Sequence, residues 1–317
     1  MGPSRGIPGR GGRSAPAAGV GRAGRDGVGD GLVSGAAHSM SPLFYRATTC
    51  RGSGGLSGNT GGVEGYDAST YGERFADVYD DWYAGVTDAG ACVDRVAALV
   101  AEAGGGPVLE LGVGSGRLAL PLAARGLEVH GLDASAAMLE RLRTKPGGDA
   151  IATTLGDMAA IPLVDPPAFA VVLVAFNTLF NVPTEEGQRR CLARVAELLA
   201  PQGRLVVEAF VPREDLAGTA ERSITPRHLT ADEVVLTVSQ HDPAAQTITG
   251  QHVHLTEAGT RLRPWHLRYL TPAQLDDLAA GAGLSRVDRA AGWRGEPFGP
   301  DSEVHVSTYR RAAPGQG

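Results

Sequence analysis

Val108-Leu109-Glu110-Leu111-Gly112-Val113-Gly114-Ser115-Gly116 decides how this chain is read. A short apolar run ends in an acid, and a glycine-rich turn then opens a helix-length segment. Beyond that segment lies Val129-His130-Gly131-Leu132-Asp133, a second short strand that also ends in an acid. Glycines at 112, 114 and 116 remove the side chains that would hold a ligand off the backbone, and they admit positive φ in a tight turn. The helix that follows aims its first N–H groups at whatever occupies the turn. Asp133, at the tip of the second strand, has the lone pairs to accept both hydroxyls of a ribose. This is the pattern of a site for a nucleoside-containing cofactor.

Gly114-Ser115-Gly116-Arg117-Leu118-Ala119 also satisfies the loose G-x-G-x-x-A dinucleotide fingerprint, so a nicotinamide-dependent oxidoreductase is the main rival. A non-catalytic nucleoside-binding protein is a third reading, and a glycine turn with no ligand the plainest. Glu110 weighs against a dinucleotide, because a carboxylate ahead of the glycines repels diphosphate and suits an ammonium group. The series Glu-x-Gly-x-Gly-x-Gly over 110–116 resembles the first motif of class I S-adenosylmethionine-dependent methyltransferases, whose cofactor carries an amino acid in place of a diphosphate.

Later segments are similar to the same family at the expected intervals. Gly156-Asp157-Met158 follows the apolar run Ile151–Leu155; the resemblance implies that the acid binds the adenine amino group beside an apolar residue. Ala170–Phe176 is continuously apolar, as in a central strand buried on both faces, and it ends in Asn177-Thr178-Leu179-Phe180-Asn181. Polar groups at the carboxyl end of such a strand sit where open α/β sheets bind ligands. Leu198–Glu208 resembles the family's "LLxPGGxLVxE" segment, with Gln202 in place of the first glycine. The resemblance covers about residues 66 to 210 well. It implies an α/β fold with a doubly wound, seven-stranded, mostly parallel Rossmann-like sheet, and S-adenosyl-L-methionine as cofactor. It also implies methyl transfer by in-line displacement to a small-molecule acceptor, on nitrogen or oxygen. The cofactor contacts expected on this basis are Tyr71, Glu110, Gly112, Gly114, Gly116, Asp133, Ala134, Met138, Gly156, Asp157, Met158, Phe176 and Asn177.

Residues 1–65 stand apart, with 19 of the 45 glycines and seven arginines against three acids. Such a segment buries too little apolar surface to offset its ordering entropy and is expected to be a disordered Gly/Arg-rich tail. It lacks the apolar stretch of a secretory signal. An RNA-binding tail, or a start at Met40 or a later codon, are the other readings. Residues 66–317 form the expected catalytic domain and carry a net charge of −10, which argues against a nucleic-acid partner. No apolar run reaches the roughly eighteen residues of a membrane span, so no membrane partner is expected. Cys50, Cys92 and Cys191 are too scattered for a zinc site or a disulfide framework; no metal and a cytoplasmic location are expected. A homodimer is left open.

Tyr71, Phe75, Tyr79 and Tyr83 recur at i, i+4, i+8 and i+12, which predicts one amphipathic helix. It is either a core helix or a cap over the cofactor, the latter by resemblance to sugar-amine and glycine N-methyltransferases. Ser135 and Thr184 are expected N-caps, and Thr271-Pro272 opens the last helix. Val234–Val238, Thr247–Leu255 and Arg261–Leu270 alternate apolar and polar residues, so 211–270 reads as a small antiparallel lid insert. Ser285–Ala290 and Val304–Tyr309 are expected to finish the main sheet as an edge hairpin. The catalytic candidates are Tyr79, Asn181 and His266, closing on the methyl group from the aromatic helix, the central strand and the lid. His252 and His254 make no convincing metal pair, and Arg261, Arg263 and Arg268 are candidate anchors for an anionic acceptor. No nucleophile motif is present, consistent with chemistry whose electrophile arrives already activated.

Overall fold

The computed structural model describes residues 63–162, 168–212 and 220–312; residues 1–62, the bulk of the expected disordered tail, lie outside them. The apolar runs form the inner strands. β1 (Val108–Leu111) and β4 (Phe169–Val174) are buried along their whole length, as parallel strands covered by helices on both faces must be. With β2 (Val129–Asp133), β3 (Ala152–Leu155), β5 (Leu199–Phe210), β10 (Leu284–Ala290) and β11 (Val304–Arg311) they make a seven-stranded sheet of order β10-β11-β5-β4-β1-β2-β3. Pairing is parallel from β3 to β5, and β11 runs antiparallel to both neighbours. The terminal hairpin therefore forms, but its last strand is interior and β10 is the edge.

Five helices cover the sheet: α3 (Ala89–Glu102), α4 (Ala119–Ala124), α5 (Ala136–Arg143), α6 (Glu185–Leu198) and α7 (Pro272–Gly281). Ser135 and Thr184 accept backbone N–H groups at the starts of α5 and α6, and Thr271 with Gln274 forms a full capping box on α7. Alternate residues of β4 feed two cores, Val172 and Val174 into one and Val171 and Leu173 into the other.

A second, antiparallel sheet of order β6-β7-β8-β9 occupies residues 221–268: β6 (Glu221–Leu229), β7 (Glu233–Asp242), β8 (Thr247–Thr256) and β9 (Gly259–Arg268). Three of these strands follow the alternating sequence pattern; β6 does not. It is an edge strand containing Pro226 and a register shift, and its sequence is too polar to show a core face.

The aromatic stretch is a correction. In place of one helix there are two, α1 (Thr70–Phe75) and α2 (Tyr79–Tyr83). Arg263 Nη1 donates to the Arg74 carbonyl, the acceptor that Val78 N–H would use in a continuous helix. Val78 N–H bonds instead to the Phe75 carbonyl at 3.0 Å, a tighter i→i+3 turn. Asp77, exposed at the break, receives Arg263 at 2.6 and 2.9 Å. Tyr71 still stacks on Phe75 (4.4 Å between centroids) and meets Tyr79 edge-on at 6.5 Å, so the aromatic face survives the break. Among the described residues no helix is long and apolar enough to cross a membrane.

Candidate active site

The glycine turn between β1 and α4 takes the conformation its residues allow, with φ of +69° at Gly112, +55° at Gly114 and +84° at Gly116. The glycines differ in purpose. A Cβ on Gly112 would lie 2.4 Å from Thr178 Cγ2, so this glycine permits packing. A Cβ on Gly114 would meet nothing nearer than 4.0 Å, so the space in front of it is a cradle.

Two ionisable side chains flank that cradle, Glu110 buried and Arg117 half-buried. Glu110 is buried, and its Oε2 has no hydrogen-bond partner among the described residues. Burial pushes its carboxyl up to about 8, against the pull of nearby Arg117. Arg117 has Nε and Nη1 buried without acceptors among the described residues, and its guanidinium lies 5.5 Å from the centre of the Phe176 ring. A carboxylate and a guanidinium with vacant hydrogen-bonding capacity are the complement of an amino-acid zwitterion. This fits the amino-acid end of S-adenosylmethionine and does not fit a diphosphate. Arg117 was not singled out from sequence, where an arginine opening a helix reads as a surface residue.

Asp133 ties the turn to the next strand: Oδ2 accepts Gly114 N–H and Oδ1 accepts Ser135 N–H, both at 2.8 Å. Each oxygen retains a lone pair for a ribose hydroxyl. Burial raises its pKa. Ala134 follows it at the edge of the cradle, half-buried. Gly156 donates to the Asp133 carbonyl at 2.9 Å and packs on Pro162, and Asp157 Oδ1 accepts Ala159 N–H at 2.8 Å, leaving Oδ2 for a ligand. Met158 and Phe176 pack half-buried against the core. Met138 is a correction: it is only 2% exposed, closed over by Gly72 of α1, and belongs to the core rather than to the cradle's surface.

The carboxyl end of β4 holds two non-glycine residues at positive φ, Phe176 (+49°) and Asn177 (+61°). Backbone of this kind costs of order 1–3 kcal/mol per residue and is held by its surroundings. Here Glu208, 1% exposed, accepts Phe176 N–H at 2.8 Å on one oxygen and Trp293 Nε1–H at 2.7 Å on the other. Asn177 Oδ1 accepts Phe210 N–H at 2.7 Å. The strained pair places Phe176 and Asn177 at a cleft that Asn181, one turn later, also lines.

Tyr71, Tyr79 and Tyr83 form one wall of this cleft, and Arg227, Trp265 and Leu267 of the second sheet form another. Burial raises all three phenols, Tyr79 to about 12, so they stay protonated at neutral pH. Asn181 lines the cleft with Oδ1 buried and without a partner among the described residues. Tyr79 and Asn181 are thus brought together as expected, and Tyr71 joins them here.

His266 is not. Trp265 and Leu267 point into the cleft, and the two-residue period of β9 turns His266 to the opposite face. There its Nδ1 bonds Thr249 Oγ1 at 2.8 Å, its ring meets Tyr66 edge-on, and burial lowers its pKa. The other lid candidates are also occupied. His252 is buried among Phe75, Trp82 and Trp265, pushed down to about 3 by burial and by Arg227 and Arg263. His254 bonds Glu233 at 2.7 Å. Arg261 and Arg263 pair with Asp77, and Arg268 with Glu185 and Gln188.

Acids of the aromatic segment fasten it to the cofactor loops. Glu73 accepts Ser135 Oγ–H at 2.8 Å and Ala137 N–H at 3.0 Å. Asp80 accepts Ser115 Oγ–H at 2.5 Å, Arg141 at 2.6 Å and Lys145 at 2.7 Å. Burial would raise the Asp80 carboxyl, but these three donors outweigh it and hold it at about 2.

Comparison with known proteins agrees with this geometry. Residues 108–203 match the family described as methyltransferase domain. The CcbJ methyltransferase from Streptomyces caelestis is 42% identical and superposes with a TM-score of 0.71, covering 78% of this chain and 100% of that one. Cypemycin N-terminal methyltransferase from Streptomyces sp is 28% identical over 235 residues, 73% of this chain and 94% of the relative. An uncharacterised methyltransferase from Geobacillus kaustophilus is 34% identical over 144 residues, 45% of this chain; the match spans 61% of that relative's own length. The dinucleotide reading of the glycine turn is thereby set aside: the chain belongs to the class I S-adenosylmethionine-dependent methyltransferases.

Proposed function

We propose that the protein transfers a methyl group from S-adenosylmethionine to the nitrogen of a small-molecule amine. One observation carries the choice of nitrogen: the cleft presents the unpartnered acceptor oxygen of Asn181 and contains neither a carboxylate nor a histidine among its described lining residues. A hydroxyl acceptor needs a base in reach, whereas an amine reacts as its free base and needs only an acceptor for its N–H. The N-terminal methyltransferase of cypemycin, similar over nearly its whole length, supports the same acceptor class.

When bound, S-adenosylmethionine supplies a methyl group on a sulfonium, an electrophile that needs no further activation. Glu110 would hold its ammonium, Arg117 its carboxylate, Asp133 its ribose and Asp157 its adenine amino group. Asn181 orients the amine, the Tyr79 hydroxyl stays a donor at the cleft wall, and Phe176, Trp265 and Leu267 exclude water. Their contribution is alignment.

The test compares S-adenosylhomocysteine release with a panel of amines and with the corresponding alcohols. Release with amines alone is expected, rising with pH as the amine loses its proton. Equal turnover of the alcohols would refute the nitrogen assignment. Calorimetry with S-adenosylhomocysteine and nicotinamide dinucleotides checks the cofactor, and binding only to a dinucleotide would refute it.

A further inference from the structure

The lid side of the cleft carries a guanidinium with no carboxylate partner and an indole N–H with no acceptor among the described residues. The Arg227 guanidinium lies 5.3 Å from the Trp82 ring centre and 5.1 Å from that of Tyr83, and Nη2 donates to the Trp82 carbonyl at 3.2 Å. Stacking of this kind fixes the guanidinium plane and leaves its remaining donors directed in plane. Among the described residues no carboxylate pairs with it. The other lid arginines differ, since Arg261, Arg263 and Arg268 are each neutralised by Asp77 or Glu185.

Trp265 supplies an independent sign. It is 4% exposed, lines the same cleft, and has its Nε1–H buried without an acceptor among the described residues. Native structures rarely leave a buried indole N–H unpaired unless a ligand completes it. The charge balance points the same way: Arg227 is the one charged side chain among the described residues lining the cleft. An acceptor that were a simple cation would meet repulsion and no counter-ion.

We propose that Arg227 is the anion-binding group of the cleft, with Trp265 Nε1–H as a further donor in the same lining, and that the acceptor amine carries a carboxylate or a phosphate at the end that faces the lid. The inference rests on methyl transfer to an amine and adds the substrate class. The anion fixes the acceptor against the lid, and the nearby guanidinium favours the free-base amine over the ammonium. Both effects assist without any base in the cleft.

The test uses the full chain saturated with S-adenosylhomocysteine and two pairs of probes. Glycylglycine against glycylglycinamide reads a carboxylate, and glucosamine 6-phosphate against glucosamine reads a phosphate. Calorimetry should show at least a tenfold preference for the anionic member of one pair, and that pair names the anion. Arg227→Gln should reduce the preference to less than twofold, Arg227→Lys should keep part of it, and Trp265→Phe should weaken it several-fold with the ring area retained. S-adenosylhomocysteine affinity in each variant checks that the fold is intact. Absence of preference in both pairs, or a preference that survives Arg227→Gln, overturns the subsite. Failure of S-adenosylhomocysteine to bind the parent would instead overturn the methyl-transfer reading itself.

Discussion

Replacing Glu110 by Gln should make the protein more stable at neutral pH and a poorer binder of its cofactor. The carboxyl is buried, lacks a partner on Oε2, and is pushed by burial up to about 8. Between the ordinary carboxylate range and pH 8 the folded chain therefore keeps a proton that the unfolded chain has released. One such proton gives a slope of about 1.4 kcal/mol per pH unit. The associated stability is present in full below the ordinary range and is lost as pH rises through about 8. Glutamine has the same shape and no proton to lose. The two proteins should match near pH 4.5, and the variant should lead by on the order of 3 kcal/mol at pH 7.5. Asp133 and Glu208, also raised by burial, slope the same way but are common to both proteins, so the difference isolates Glu110. Conversely, losing a charge-assisted bond to the ligand's ammonium should weaken S-adenosylhomocysteine by about 1.5–3 kcal/mol, roughly 10- to 150-fold. Urea unfolding from pH 5 to 8.5 at fixed ionic strength, with calorimetry at pH 7.5, measures both. A variant whose stability runs parallel to the parent at every pH, or which binds as tightly, would refute the assignment of Glu110.

The remaining predictions separate packing from binding. Gly112→Ala would drive a methyl into Thr178 at a positive φ and should lower the melting temperature by several degrees, whereas Gly114→Ala should fold with less loss and weaken S-adenosylhomocysteine at least tenfold. Comparing thermal melts with calorimetry for the two shows whether the cradle lies at Gly114. Asp80→Asn, which weakens bonds from Ser115, Arg141 and Lys145, should speed S-adenosylhomocysteine dissociation severalfold in stopped-flow with a stability loss of about 1–2 kcal/mol. His266→Gln should keep turnover within about threefold and leave its pH profile unshifted, since the ring faces Thr249 and Tyr66 away from the cleft; a hundredfold loss would restore it as a base.

What the sequence made legible follows from how local each signal is. The glycine turn, the acids ending β1 and β2, and the caps Ser135, Thr184 and Thr271 act within a few residues of themselves, and each was found where the sequence put it. The central strand β4 announced itself as an unbroken apolar run. Most of the misreadings involve a partner from elsewhere in the chain. The break between α1 and α2 is set by Arg263, 189 residues beyond Arg74. Met138 is sealed by Gly72 of α1. His266 stood beside Trp265 in sequence, yet strand alternation gave the cleft to Trp265 and Leu267. Arg261, Arg263 and Arg268 looked like anion anchors until Asp77 and Glu185 were seen to hold them, leaving that part to Arg227 on the strand whose polar sequence hid it.

These long-range contacts explain why acceptor and cofactor sites belong to one structure. The same aromatic segment is tied to the loop after β1 through Asp80 and to the loop after β2 through Glu73, while Asp77 ties it to the lid through Arg263. Its rings therefore cannot take their places at the cleft unless both cofactor loops and the lid are in register. Glu208 adds a further tie, clamping the positive-φ backbone of Phe176 from the neighbouring strand, so the floor of the cleft is fixed by the main sheet. On the proposed reading, a cofactor that filled the Gly114 cradle would press on the loops to which Glu73 and Asp80 are bonded, and its binding energy would reach the acceptor wall through these two short side chains. With the amine acceptor proposed above, alignment would thereby be coupled to occupancy of the cradle, as a reaction relying on orientation rather than on a base requires.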